Sequence, residues 1–166
     1  MSETSNYPES LLCNGRAPIA AGSFGPESLF FRGFARGDLD DEGLIRVETL
    51  QSPDLSCNTS LFSKPTDVRF RVNSTAGDGC YQFGIEVVRF NGMANAVHDP
   101  LCDCDRENYS HCELRSLRQG EAVTFEPPRG RKRGKGRQVK ERRLAWRLNL
   151  RNSLVIVLDA EQDDAI

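Results

Sequence analysis

The sequence predicts an all-β or β-dominated fold: a single-domain antiparallel β-sandwich behind an irregular N-terminal arm. Three observations predict it. Short apolar and aromatic runs recur, several alternating with polar residues at the period of a strand; turns rich in Gly, Pro, Asn and Ser separate them; and no long apolar pattern repeats at the helical period. A chain of 166 residues, 38% hydrophobic, suits one core, and a domain of this size buries roughly 70% of the surface of its unfolded chain. There is no Gly-rich phosphate loop, no Ser nucleophile elbow and no HExxH helix. Any catalysis has to come from metal ligands.

Residues 1–27 lack periodicity and read as the irregular arm, with one short packed piece around residues 11–13. The domain proper spans 28–158. LFFRGFA from Leu29 and LIRVETL from Leu44 read as two strands joined across an acidic turn, DLDDEG. That turn lacks the ligand spacing and closing glutamate of a calcium loop. Residues 51–65, with Pro53 and Pro65, read as a loop holding Cys57 between Leu55 and Leu61. DVRFRVN, 67–73, alternates Val68, Phe70 and Val72 against Arg69 and Arg71, a half-buried strand. It pairs as a hairpin, across STAGDG, with a strand over 81–90 in which Glu86 shares a face with Gln82, Val88 and Phe90. A carboxylate placed there needs a cation or strong hydrogen bonds to stay ionised; on a solvent face it needs neither.

YSHCELRSL, 109–117, reads as a strand that sends Tyr109, His111 and Glu113 one way and Ser110, Cys112 and Leu114 the other. EAVTFEP reads as a further strand. LAWRLNL reads as another, with Leu144, Trp146, Leu148 and Leu150 facing one way, and SLVIVLD closes the sheet as a buried strand. The tail, 159–166, is acidic; it either folds back on the basic loop or keeps the protein soluble.

Net charge is −2, so bulk electrostatics favours neither nucleic acid nor membrane, but the charge is uneven. The segment 127–143 carries Arg129, Arg131, Lys132, Arg133, Lys135, Arg137, Lys140, Arg142 and Arg143 against Glu141 alone. Its first part, 127–137, reads as a mobile basic loop. Through residues 129–143 the protein could neutralise phosphates or dock on an acidic protein surface. No aromatic residue is interleaved there, so base stacking is unsupported. No apolar run reaches the roughly 18 residues of a membrane span, and the first residues do not have the pattern of an export signal. The expectation is a cytoplasmic protein whose six cysteines are thiols, Cys102 and Cys104 included.

Residues 98–117 hold both histidines and three of the six cysteines. Imidazole, thiolate and carboxylate are the usual donors to a borderline-soft divalent ion such as zinc. Two histidines in a polar loop are as often solvated or hydrogen-bonded with no ligand role, so both readings stand.

The ordered set Cys57, Glu86, His98 and His111, with LSCNTS, VHDP and NYSHCEL around it, resembles a metal-binding family named for its Cys-Glu-His-His (CEHH) residues. These are small bacterial proteins encoded beside ubiquitin-like proteins and their activating (E1-like), conjugating (E2-like) and JAB-type deconjugating enzymes. The resemblance covers about residues 29–157 and not the basic insert or the tail. It implies a zinc site and a supporting role in bacterial ubiquitin-like conjugation, in antiphage defence among its settings, with E1-like, E2-like or ubiquitin-like partners. Four protein ligands would make a closed, structural site in a binding module. Cys57, His98 and His111 alone would leave a zinc-bound water, with Glu86 as general base of a hydrolase. Glu113, on the strand face of His111, is the alternative carboxylate.

Overall fold

The computed structural model describes residues 6–51, 54–131 and 134–161. Six strands form one fully antiparallel sheet: β1 (Leu29–Phe34), β2 (Leu55–Thr59), β3 (Gly79–Gly84), β4 (Ala94–His98), β5 (His111–Ser116) and β6 (Val155–Leu158), in the spatial order β4-β5-β2-β1-β3-β6. A single turn of helix, α1 (Ile85–Val88), follows β3, and a long helix, α2 (Arg137–Ser153), precedes β6. The β-dominated single domain and its antiparallel pairing agree with the sequence pattern. Its second layer is a helix, because the described residues form one sheet and not two.

Side chains of directly paired residues share a face, and the face alternates along each strand. Phe30 pairs with Phe83, Leu55 with Leu114, Cys57 with Cys112, and Ala96 with Leu114. That face is the main core, closed by Trp146 and Leu150 of α2 together with Ile85 and Val88 of α1. Trp146 is fully buried and donates its indole N–H to the Val88 carbonyl at 2.8 Å, tying the two helices together. The other face carries a smaller cluster of Phe31, Cys80 and Val68. At Gly79 a Cβ would meet the Phe34 ring at 2.5 Å and the Ala160 nitrogen at 2.6 Å, so the close approach of β1 and the chain after β6 requires glycine there.

Several sequence expectations are corrected. The strand over LAWRLNL lies within α2. Trp146 and Leu150, four apart, share a face at either period, while Leu144 and Leu148 stay exposed at 52% and 41%, as helical phase requires. Residues 67–73 do not form a strand: Pro65–Phe70 is a 3-10 helix, with Pro65 in its first turn and the Asp67 carboxylate accepting the Lys64 N–H at 2.9 Å. In the segment 44–50 there is a 3-10 turn, Val47–Thr49, with only an isolated bridge from Leu39 to Ile45. The segment 121–127 is irregular, and the loop expected at 51–65 contains the central strand β2. β6 is a strand as expected but lies exposed at the sheet edge.

The arm is packed. Leu11 and Cys13 are buried as expected, and Cys13 forms a disulfide with Cys102, which corrects the reading of both as thiols. Cys57, Cys80, Cys104 and Cys112 are free, only Cys104 being exposed. Glu161 of the tail pairs with Arg69 at 3.0 Å, not with the basic loop; residues 162–166 lie outside the described residues. No helix among the described residues is long and apolar enough to cross a membrane.

Candidate functional site

The register of the sheet separates the predicted ligands. His98 pairs with Cys112, which pairs with Cys57, so these three lie on the core face. His111 pairs with Asn58 and lies, with Glu113, on the opposite face. Glu86 is exposed on α1, because the strand expected to carry it ends at Gly84. The structure therefore puts Cys57 and His98 on one face with Cys112 of β5 between them, sets His111 beside Glu113 on the other, and does not gather Cys57, Glu86, His98 and His111 about one point. Among the described residues no group of three or more His, Cys, Asp and Glu is arranged to hold a metal ion.

His98 is 2% exposed and both ring nitrogens are engaged. Nδ1 accepts the Ile19 backbone N–H at 3.0 Å, so the proton of the neutral ring sits on Nε2, which donates to the Tyr109 carbonyl at 2.6 Å. Phe62 lies against the ring with centroids 5.4 Å apart, and Tyr109 meets it edge-on at 4.9 Å. Burial lowers the His98 pKa, outweighing the Tyr109 hydrogen bond. A zinc ion on His98 would have to displace one of these two hydrogen bonds. The Cys57 thiol is fully buried, its pKa pushed up to about 12 by burial, and it donates only a long contact, 3.7 Å, to the Cys112 carbonyl. These donors do not fit a four-ligand zinc centre in this arrangement.

On the opposite face His111 donates Nδ1–H to the Asp99 carbonyl at 2.6 Å, which leaves the lone pair of the neutral ring on Nε2. Its pKa is also lowered, by burial first. Beside it lies a charge network that the sequence did not disclose. Arg115 donates to Glu113 and to Asp99, each at 2.9 Å, and Arg129 reaches the same Asp99 oxygen and Glu113. Two carboxylates meet two guanidiniums, so the network is neutral and internally satisfied. Arg115 also donates to the Pro127 carbonyl at 3.0 Å. The start of the basic segment is thus fastened to the sheet.

The other basic candidates divide. Arg131 pairs with Glu121 at 2.7 Å and lies over the Phe125 ring, its centroid 5.5 Å away; Arg137 pairs along α2 with Glu141 at 2.7 Å. Lys135 is exposed, and Lys132 and Arg133 lie outside the described residues. In place of an extended mobile loop, the described part of 127–137 is anchored by Arg129 and Arg131. The chain matches no family model, no curated protein and no solved structure.

Proposed function

We propose that this chain is a protein-binding accessory module, working in the cytoplasm within a bacterial ubiquitin-like conjugation system, and that it takes its partner along β6. The observation that supports the binding face is the state of that edge. Val155, Ile156 and Val157 are 53%, 39% and 37% exposed on a strand whose outer side has no neighbour among the described residues. An uncovered apolar edge is the standard platform for adding a strand from another chain. The conjugation setting and its E1-like, E2-like or ubiquitin-like partners come from the CEHH resemblance, and so does zinc, which would require Cys57, Glu86, His98 and His111 to leave the positions they hold here.

The test is amide hydrogen exchange of the full chain with and without purified E1-like, E2-like and ubiquitin-like proteins of the same bacterium. Slowed exchange at residues 155–158 with one of them supports the reading, and Val157→Lys abolishes it. Absence of binding to all three overturns the conjugation role; binding that Val157→Lys leaves unchanged overturns the β6 face. Elemental analysis of the wild type and of Cys57→Ala and His111→Ala tests zinc. Stoichiometric zinc lost in both variants supports it, and unchanged metal content ends it.

A further inference from the structure

β1 and β2 pair only at Phe30 with Thr59 and Phe31 with Asn58. Past these pairs a cleft of about 440 Å³ opens, lined by Arg32 and Gly33 of β1, Ser56 of β2, and Val68 and Arg71 beyond. The volume is in the range of small-ligand sites, about 300–1,000 Å³. Arg32 holds its mouth by donating Nη1 to the Ser56 carbonyl at 2.5 Å. Arg71 enters from the turn after the 3-10 helix, where Asn73 takes a left-handed conformation, φ 63°.

Arg71 is placed unlike its neighbour Arg69. Arg69, two residues earlier, donates to the Asp78 carbonyl at 2.9 Å and pairs with Glu161 at 3.0 Å. The Arg71 guanidinium has no hydrogen bond and no ion pair among the described residues, and Arg32 has only its Ser56 contact. Arg71 is half-buried at the cleft, and its guanidinium, which cannot lose its proton there, faces solvent or a ligand, with Asp78 the carboxylate whose charge favours it. Burial and the like charge of Arg32 both act against the charged form of Arg71. The buried Tyr81 hydroxyl, which has no hydrogen-bond partner among the described residues, feels both arginines.

Asp38, Asp54 and Asp78 also line the cleft. The Asp38 carboxylate accepts the Ala35 N–H at 2.8 Å, and that of Asp78 accepts the Thr75 N–H and hydroxyl at 3.1 and 2.7 Å. Two guanidiniums against three carboxylates leave the lining at a net −1. A phosphate dianion is disfavoured by that sum. Any net anion is disfavoured by it, so a carboxylate fits only as part of a zwitterion whose cationic group meets Asp38 or Asp78.

We propose that this cleft binds a carboxylate ligand, its two oxygens received by the guanidinium of Arg71 with Arg32 beside it. Two sources share that chemistry: a free α-amino acid and the C-terminus of a peptide. The experiment titrates the full chain with alanine, trialanine, trialanine amide and inorganic phosphate, following arginine Nε–H signals by NMR and affinity by calorimetry. The expected result is saturable movement of the Arg71 and Arg32 signals by alanine or trialanine, with the amide weaker by about tenfold or more. Tighter binding of trialanine identifies a chain terminus, and tighter binding of alanine a free amino acid. Arg71→Lys and Arg32→Lys, which keep charge but lose the fork, each weaken binding about tenfold with an unchanged circular dichroism spectrum. Because the wild-type signals report directly, a variant that fails to fold does not spoil the test. No saturable shift, equal binding of the amide, or phosphate bound as tightly as the carboxylates overturns the proposal.

Discussion

The two edges of this sheet are treated in opposite ways. β4 is buried at all five positions, and its side chains reach outward to covering segments: His98 to Ile19 of the arm, and Asn95 to the Phe125 carbonyl at 2.9 Å. β6 leaves three apolar residues in a row facing solvent. An edge strand offers unpaired backbone groups to any other strand, and a protein either covers it or uses it. β4 is covered by chain held down through a disulfide, a histidine and Tyr109, whose hydroxyl donates to the Ala17 carbonyl at 2.9 Å. The contrast shows His98 bonded to the arm at one edge and leaves β6 as the open edge among the described residues.

The comparison can be broken most severely at the disulfide. Cys13 and Cys102 are 89 residues apart in sequence, and Cys13→Ser is expected to cost about 3–4 kcal/mol in urea unfolding under non-reducing conditions and to expose β4 amides to exchange. His98→Ala comes next, at about 2–3 kcal/mol, since it leaves the Ile19 N–H and Tyr109 carbonyl without their partner and opens space beside Phe62.

Acid provides a finer test. Both histidine pKa values are lowered in the folded state, so the unfolded chain binds more protons once pH falls below the ordinary histidine value, about 6.5. The histidine contribution is complete above that pH and is lost as pH falls toward the folded pKa values. Urea midpoints are therefore expected to decline from pH 7.5 to 5.5, and His98→Gln to flatten the decline. The smallest effect belongs to β6, where Val155→Lys or Val157→Lys should change stability by no more than about 0.5 kcal/mol, as at other exposed positions. A loss above about 2 kcal/mol would mean that the edge is already covered in the isolated protein.

Much of the β framework was legible. LFFRGF and CYQFG are aromatic runs that became β1 and β3, the alternation of YSHCELRSL became β5, and Leu11 and Cys13 pack as their setting suggested. β2 was hidden because LSCNT is short, polar and flanked by Pro53. α2 was misread because apolar residues four apart satisfy both the strand and the helix period; the run of Arg, Lys, Gln and Leu from Arg137, good helix formers, was the stronger signal. At the candidate site, Glu113 was correctly placed beside His111. The separation of the two histidines was not legible, because it depends on which residues of β4 and β5 stand opposite one another. Arg71 was read as sharing one face of a half-buried strand with Arg69, yet among the described residues only the Arg69 guanidinium has partners.

From the sequence alone came a single β-rich domain, an uneven charge and a set of donor side chains with a resemblance attached. Tertiary structure decided what those donors face. Strand register sends neighbouring residues to opposite sides of a sheet, so one residue of offset outweighs any closeness in sequence. It also decided which charges are spent: among the described residues most guanidiniums found a carboxylate or carbonyl, while that of Arg71 was left at a cleft that distant segments close around.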